Sequence, residues 1–443
     1  MSYAEKAGLL LALVAALSPR SARAGPDTHY QDLVVGERAA GMGGAFTALA
    51  DEATGLHYNP AGMIQQGSVL LQLSMSAYKL RHSSVEIAEW CGRSFRHSES
   101  SFFSFPGSFG VVTQLPGKRV RHALGLAVIF PHAHQWSRFY VDDAIPCGPL
   151  LLGASEAFAG FDRELRGGVA YALEPWPFLR LGVALWTSAR SVSAALSFDQ
   201  VTVDASEPWH PESFLASADA TIWSLCAQVG VILLPRPDLR VGLSLSSPYL
   251  ALAGHGSLTL VNGQPDPADW RQTTALHLTD VDQRWKVPFQ VALGVAYLRR
   301  GRLALAADVK LHGPVDRYTD YDHPDLPEWF SQQFVSERRL VVNGNLGLEL
   351  LLGRLALRGG FFTNFSSSTR EERVHLYGGT LGGTVHTRKG STLSMALQVQ
   401  VGSGTFPKYV LSYEGGEYRH REEEVDVRDL SLILTLGGSF DIR

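Results

Sequence analysis

Residues with catalytic potential are sparse in this chain, and none of them forms a recognised catalytic pattern. The sequence has no Gly-x-Ser-x-Gly elbow, no His-Glu-x-x-His pair and no phosphate-binding loop, so hydrolytic and nucleotide chemistry lack their usual carriers. His132 and His134 lie two residues apart and would share one face of an extended segment, but a metal site needs further ligands. We therefore predict no enzyme activity, no metal and no cofactor.

The three cysteines are too few to act as a disulfide framework, and their odd number leaves at least one unpaired within the chain. Cys91 and Cys147 fall in two longer polar stretches between predicted strands, residues 82–101 and 132–154, which we interpret as loops. The sequence leaves open whether they are bonded, because a bond depends on a distance that sequence does not give. Cys226 falls inside a predicted strand, where we expect a buried, apolar role.

The charge distribution argues against nucleic acid as a partner. Lys and Arg number 39 against 43 Asp and Glu, and no basic stripe is present. The acidic run Glu422–Glu424, close to Arg419 and Arg421, falls in the last predicted outer loop. Two interpretations stay open for it, a solvated loop or a contact with cation-bridged lipopolysaccharide.

The N-terminus predicts export. Residues 1–24 contain Lys6, an apolar run from Ala7 to Leu17, and an Ala-x-Ala cleavage pattern at residues 22–24. A membrane anchor needs about 20 apolar residues, which this run does not reach. We interpret residues 1–24 as a signal peptide.

Apolar residues alternate with period two from residue 67 to the C-terminus, which predicts strands with one apolar face. Clear examples begin at Leu179, Val287, Leu303, Leu346, Leu393 and Leu430. No later segment has the roughly 18 consecutive apolar residues of a spanning helix. A membrane protein built from this chain would therefore have to be a closed β-barrel.

The connections between the strands alternate in length. Short turns are predicted near residues 115–119, 174–177, 235–238, 299–302, 353–354 and 388–390. Longer polar stretches lie near residues 82–101, 132–154, 202–213, 263–271, 314–335, 367–370 and 402–426. A soluble β-sandwich gives no reason for this alternation, whereas outer-membrane barrels have short periplasmic turns and long outer loops.

Six turns and seven loops join fourteen strands, and we predict an all-β, antiparallel transmembrane barrel formed by residues 67–443. Both ends of such a barrel lie on the periplasmic side, and several strands are long enough to project beyond the outer surface. Aromatic residues near strand ends are candidates for interfacial girdles. They are Trp176, Phe178, Trp186, Trp223, Tyr249, Trp285, Phe289 and Tyr297.

A barrel of fourteen strands has a lumen too wide for its own side chains to fill. Residues 25–66 precede the first strand, and we predict that they form a hatch inside the lumen. Gly and Ala dominate residues 39–50, which lets backbone segments pack closely. Asn59 can cap a short helix with Pro60 in its first turn.

The block Gly36–Met63 carries a family resemblance: Arg38, Gly41, Gly43, Gly44, Ala45 and Asp51 lead to the tetrad Asn59-Pro60-Ala61-Gly62. This spacing resembles the hatch of the outer-membrane long-chain fatty acid and hydrocarbon transporter family. Two later stretches, residues 104–126 and 287–309, also resemble strands of that family.

The resemblance implies that Asn59, Pro60, Ala61 and Gly62 belong to a gate, together with Arg38, Gly43, Gly44 and Asp51. It also implies a bent strand beside a lateral opening toward the outer leaflet. The third strand is the candidate, because Gly125 lies in it and Pro131 ends it.

The function implied is a passive channel in the outer membrane for fatty acids or hydrocarbons. Its partners would be these hydrophobic molecules, outer-membrane lipid or lipopolysaccharide, and the barrel assembly machinery. Such barrels usually end in an aromatic residue that this machinery reads, whereas here Phe440 is offset from the end. The alternative is a barrel of the same superfamily that acts as a secretion-system scaffold and binds exported proteins at its outer loops.

Overall fold

The computed structural model describes residues 28–64, 69–117, 119–204, 210–263, 273–299, 301–326, 336–369, 373–387 and 390–442. The predicted signal peptide, residues 1–24, lies outside these ranges. None of the helices within them has the length and apolar character needed to cross a bilayer.

Three short helical segments precede the strands. They are the α-helix α1 (Glu37–Gly41) and two 3-10 turns, Ala53–His57 and Pro60–Met63. The strands are β1 (Val69–Trp90), β2 (Arg93–Pro106), β3 (Phe109–Leu115), β4 (Arg121–Cys147), β5 (Leu150–Trp176), β6 (Leu179–Asp204), β7 (His210–Arg236), β8 (Leu239–Ser246), β9 (Leu250–Gly263), β10 (Thr273–Trp285), β11 (Gln290–Arg299), β12 (Leu303–His312), β13 (Val315–Asp322), β14 (Ser336–Arg338), β15 (Val341–Leu352), β16 (Leu355–Asn364), β17 (Arg373–His386), β18 (Ser391–Glu414) and β19 (Glu417–Ile442).

The strands form one closed antiparallel barrel, which confirms the predicted fold class. The first and last strands, β1 and β19, pair from Val69–Ile442 to Ser84–Arg428 and so close the sheet. Some barrel strands consist of two consecutive segments, namely β2 with β3, β8 with β9, β10 with β11, β12 with β13, and β14 with β15. Counted in this way, the described segments make fourteen barrel strands, as the turn pattern predicts.

The period-two alternation divides an apolar outer face from a mixed inner face. In β12, Leu305 and Val309 are exposed on the outside of the barrel, whereas Asp308 and Lys310 are buried on the inside. The alternating residues that begin at Leu179, Leu346 and Leu393 also face outward. An outer face of this composition is suited to contact with hydrocarbon.

The aromatic residues predicted to form girdles divide between the two faces. Those exposed on the outside are Trp176, Phe178, Trp223, Phe289 and Tyr297. Trp186, Tyr249 and Trp285 are instead buried inside the barrel. The pleat explains Trp186, because it follows the outward-facing Leu185 and successive side chains point to opposite faces. Residue parity, rather than closeness to a strand end, is the signal that separates the two groups.

Three stretches predicted as outer loops are in fact the outer halves of long hairpins. Residues 82–101 are ladder-paired around a turn at residues 91–92, residues 132–154 around residues 148–149, and residues 402–426 around residues 415–416. Both faces of these outer halves lack a strong apolar stripe, so the sequence loses its period-two contrast although the hydrogen-bond ladder continues. The stretch 314–335, also predicted as a loop, begins with the strand β13.

The length of these hairpins predicts where a charge is tolerated. Leu293, in the middle of β11, is 53% exposed on the outer face, and Phe139 is 77% exposed. Phe139 lies 18 residues beyond Arg121, the first residue of β4. That is about 60 Å along the strand at about 3.3 Å per residue, well beyond an apolar band about 25 Å tall.

We therefore expect Leu293→Arg to destabilise the barrel by about 2–4 kcal/mol in a bilayer, because it places a charge in hydrocarbon. Phe139→Arg should change the free energy of unfolding by less than about 0.5 kcal/mol. Urea unfolding in lipid vesicles, followed by tryptophan fluorescence, measures both. Equal costs for the two variants would show that the outer halves do not project beyond the membrane.

Candidate functional site

Residues 28–64, named here the plug segment, lie inside the barrel and are almost entirely buried. Their backbone or side chains approach inward-facing glycines on strands all around the wall. These glycines are Gly110, Gly125, Gly182, Gly230, Gly242, Gly294, Gly347, Gly360, Gly382 and Gly437. The plug is thus seated on most of the wall rather than on one side of it.

We name these wall glycines the glycine seat. Its closest contacts with the plug come from glycines that pair on neighbouring strands. Gly182 pairs with Gly230 across β6 and β7, and Gly242 pairs with Gly294 across β8 and β11. A Cβ at Gly230 would overlap the Asn59 side chain, and one at Gly242 would lie 2.5 Å from the Thr47 carbonyl oxygen. These strand glycines therefore provide the space in which the plug backbone lies.

Asn59 joins the plug to the wall. Its Oδ1 accepts a hydrogen bond from the Ala61 N–H (3.1 Å), which caps the 3-10 turn that Pro60 begins. Its Nδ2 lies 3.0 Å from the Thr47 carbonyl oxygen, 3.1 Å from that of Val231 and 3.3 Å from that of Leu243. Because the side chain is fully buried, these carbonyl contacts replace the water it has lost.

The rest of the tetrad packs closely beside Asn59. Pro60, Ala61 and Gly62 are buried, and a Cβ at Gly62 would overlap Ala50, which has a φ of 40°. The tetrad thus forms a compact corner against β6 and β7.

A chain of ion pairs runs through Arg38 and Asp51 of the plug. Arg38 donates to both carboxylate oxygens of Glu349 (2.9 and 2.8 Å) and to Asp51 (2.6 Å). Asp51 is also 3.2 Å from Arg240, and Glu349 accepts from Arg358 at 2.6 Å. The network links β8, the plug, β15 and β16, so the predicted residues Arg38 and Asp51 hold several strands of the wall to one plug.

Gly43 and Gly44 follow α1 with φ values of 63° and 75°. Their positive φ turns the chain so that its carbonyl groups meet the wall: Asn345 donates to the Gly43 oxygen (2.6 Å) and Lys310 to the Gly44 oxygen (3.1 Å). Asp308 accepts from the backbone N–H groups of residues 46 and 47, both at 2.8 Å.

The wall residues that hold the plug, among them Asp308, Asn345 and Glu349, are not among the residues that the sequence pattern predicts for the site. One signal was available. Each is a polar residue at an inward position of a strand whose outward positions are apolar, such as Leu346, Leu348 and Leu350. The alternation does not predict which plug atom each of these side chains contacts.

The glycine seat makes a specific prediction. Gly230→Ala should displace the tetrad, because the added Cβ overlaps Asn59. We expect the plug to become susceptible to added protease and the barrel to conduct small hydrophilic solutes in a liposome-swelling assay. Gly379→Ala is the matched control, since a Cβ there meets nothing within 4 Å. Equal behaviour of the two variants would contradict the seat.

Two adjacent plug carboxyl groups titrate in opposite directions. Burial alone would raise the pKa of Asp51, but Arg38 and Arg240 outweigh it and lower that pKa. Burial raises the pKa of Glu52 to about 7, and the more distant Arg38 and Arg358 offset this only in part. Glu52 therefore holds a proton in the folded protein at pH values where the unfolded chain has lost it.

Because the folded pKa of Glu52 is raised, stability should fall as the pH rises from about 4.5 to about 7. Glu52→Gln removes this dependence and should gain at most about 3 kcal/mol over the unmodified protein at pH 8, since one pKa unit corresponds to about 1.4 kcal/mol. Asp51→Asn should instead lose stability at pH 8. Urea unfolding at pH 5 and pH 8 tests both. An unchanged pH slope in Glu52→Gln would contradict the assignment.

A cavity of about 120 Å³ lies between the plug and the inner wall. Its aromatic lining includes Trp186, Tyr249, Trp285 and Tyr318. Arg166 and Lys310 also line it, Arg166 lying 3.0 Å from Glu164. The cavity thus combines aromatic side chains with polar and charged ones, among them Glu164, as a site for an amphipathic molecule requires.

The wall is interrupted beside the plug. The second barrel strand breaks between β2 and β3, at Gly107 and Ser108, where a Cβ on Gly107 would overlap the backbone of Ser74. β3 pairs with β4 from Phe109–Val128 to Leu115–His122. Within the described residues, no ladder pairs β2 with β4 beyond this point. We name the line between β2 and residues 129–147 of β4 the wall seam.

A small apolar cavity of about 30 Å³ adjoins the seam. Its lining includes Leu33 and Val34 of the plug together with Ala77, Phe105, Phe130 and Ile433 of the wall. Pro131, predicted at the end of the bent strand, lies in a register shift of β4 between residues 129 and 132. Gly125 lies lower, in continuous ladders, where a Cβ would overlap Met63.

The predicted cysteines and histidines lie in the strands and at hairpin tips. Cys91 and Cys147, at the tips of two hairpins, are joined by a disulfide with a Cα–Cα distance of 5.5 Å. His132 and His134 are buried in β4 rather than in an outer loop. His132 lies 3.2 Å from Asp162, and His134 lies 3.0 Å from Arg81. Cys226 is a free, buried thiol.

A closed fourteen-strand barrel with an apolar outer face and an N-terminal plug in its lumen is a transmembrane β-barrel fold. The solved structures that share this fold include a FadL homologue from Pseudomonas aeruginosa, at 13% sequence identity and a TM-score of 0.65. The alignment covers 94% of this chain and 100% of that one.

Two toluene transporters are similar as well. TodX from Pseudomonas putida is 14% identical with a TM-score of 0.59, and TbuX from Ralstonia pickettii is 14% identical with a TM-score of 0.56. Each alignment covers 93% of this chain and 100% of the other chain. Neither a protein-family model nor a curated protein matches the sequence.

Proposed function

We propose that this protein is an outer-membrane channel for the passive uptake of hydrophobic compounds. In this proposal residues 1–24 are a signal peptide, residues 25–66 form the hatch and residues 67–443 form the barrel. The plug gates the lumen, and compounds leave sideways through the wall seam. The fold shared with a FadL homologue and with toluene transporters supports this class of function.

The observation that carries the proposal is the wall seam with an apolar cavity beside it. A barrel wall in lipid normally has every strand edge paired, because unpaired backbone groups are costly there. Here the second and third strands part at Phe109 and Val128, and the cavity at the parting is lined by apolar plug and wall residues. A break of this kind gives an apolar molecule a way into the bilayer without crossing the water below.

The central cavity supplies the second half of the path. It lies between the plug and the inner wall, and both Leu33 and Val34 line it as well as the seam cavity. Leu33 and Val34 of the plug therefore lie between a molecule held there and the seam cavity. Movement of the plug around residues 33–34 would join the two cavities.

The residues that line the central cavity also affect whether the transported compounds are fatty acids or hydrocarbons. Arg166 and Lys310 are the cationic side chains that line the central cavity and that a carboxylate would meet. Lys310 is buried and donates to the Gly44 carbonyl oxygen, so binding of an acid there would compete with a plug contact. Hydrocarbons would use the aromatic walls alone.

Two further partners are proposed from residues of β19, the last strand of the barrel. Phe440 is exposed on the outer face near the end of β19, where it pairs with Leu71 and Ser391. We propose that the barrel assembly machinery reads this residue. The charged outer end of β19, with Glu422 and Arg421 exposed, would contact lipopolysaccharide.

Blocking the seam tests the proposal. Ala77 is buried beside the seam cavity on β1, and Ala77→Trp should fill that cavity. We expect uptake of labelled fatty acid or toluene by expressing cells to fall about tenfold, to the level of cells without the gene. Ala307→Trp is the matched control, because Ala307 faces outward on β12.

Heat-modifiable mobility on gels verifies that each variant is folded in the outer membrane. Equal uptake with and without the gene, across fatty acids and aromatic hydrocarbons, would refute transport and favour the secretion scaffold. Normal uptake by a folded Ala77→Trp variant would refute the seam as the exit.

A further inference from the structure

We propose that Asp32 of the plug segment is the latch that holds the wall seam closed. The inference rests on the proposed function for its consequence in transport, but its geometry stands independently. Asp32 bonds at once to β4, one flank of the seam, and to β1, the strand that pairs with the other flank, β2. It acts as a positioning residue and does not itself need to touch a transported molecule.

The first bond ties Asp32 to β1. Lys79 Nζ lies 2.6 Å from Asp32 Oδ1, and the two residues are only 2% and 7% exposed. A buried charge of either sign is costly unless it is paired, so neither residue can release the other without a new partner. β1 carries β2 along its length, from Ser76–Pro106 to Trp90–Arg93, so this ion pair fixes the plug to the β2 flank.

The second bond ties Asp32 to β4. Ala133 follows the register shift of β4, and its backbone N–H donates to Asp32 Oδ2 at 3.3 Å. His132 Nδ1 lies 3.6 Å from the same oxygen. Along a paired strand edge, this N–H would bond to a carbonyl of the neighbouring strand. A plug carboxylate takes that place at the seam.

Side chains also substitute for the ladder higher on the seam. The backbone N–H of Ser137 donates to Glu99 of β2 at 3.2 Å. This bond joins wall to wall and does not involve the plug. Asp32 therefore differs from Glu99, because its bond to β4 lasts only while the plug is in place.

The apolar neighbours of Asp32 complete the coupling. Leu33 packs in a buried cluster with Ala77, Phe103 and Ala133, which come from β1, β2 and β4. Displacement of residues 32–33 would thus remove the ion pair, the N–H acceptor and the apolar filling of the seam together. Opening of the plug and opening of the wall become one event.

Two variants separate the latch from a general structural role. Asp32→Ala removes both bonds. The exchanged pair Asp32→Lys with Lys79→Asp keeps an ion pair but offers no acceptor to Ala133, because an ammonium group only donates. Asp51→Asn is the control for loss of another plug carboxylate, one whose ion pairs are with Arg38 of the plug and Arg240 of β8.

The measurement is hydrogen–deuterium exchange of residues 130–137 in the full-length protein in lipid, with uptake recorded in parallel. We expect exchange to rise about tenfold in Asp32→Ala and in the exchanged pair, and to stay unchanged in Asp51→Asn. Uptake should rise in the first two. If Asp32→Ala does not fold, the exchanged pair decides the question.

Unchanged exchange in these folded variants would overturn the latch even if the protein transports. An equal rise in Asp51→Asn would also overturn it, because it would indicate general loosening of the plug. Faster exchange in a protein that transports nothing would instead uphold the latch and refute the proposed function.

Discussion

The rest of the structure depends on one constraint, that backbone N–H and C=O groups facing lipid must be paired. The ladder between β1 and β19 meets it by closing the sheet, and closure around fourteen strands leaves a lumen that must be filled. The wall seam relaxes the constraint locally. There the N–H groups of Ala133 and Ser137 bond to carboxylates instead of carbonyls.

The same constraint governs the plug, whose irregular backbone is buried away from water. Side chains of the wall form hydrogen bonds with the plug backbone. Asp308 accepts from two N–H groups, and Asn345 and Lys310 each donate to a carbonyl oxygen. At Asn59 the roles are exchanged, because this plug side chain donates hydrogen bonds to backbone carbonyl groups of the wall. Glycines on the wall bring the two backbones close enough for these bonds. The plug is therefore held by many specific polar contacts rather than by apolar packing alone.

Sequence alone predicts the parts of this fold that depend on local pattern. Alternation located the apolar outer face, and turn residues located the short connections and so the strand number. The outer hairpins were predicted as loops because strands beyond the lipid lose their apolar stripe while keeping their ladders. Trp186 and Trp285 were predicted as girdle residues although parity turns them inward. Contacts such as Asp32 with Ala133 depend on register and plug placement together, and no local pattern records either.

The disulfide between Cys91 and Cys147 gives the seam a fixed upper end, just as the β3–β4 ladder gives it a fixed lower end at Phe109 and Val128. The two ends lie 18 positions apart in sequence on one edge and 19 on the other, about 60 Å of strand on each side. A slit pinned at both ends widens only by bowing of its edges. Such an opening selects molecules by their cross-section and not by their length.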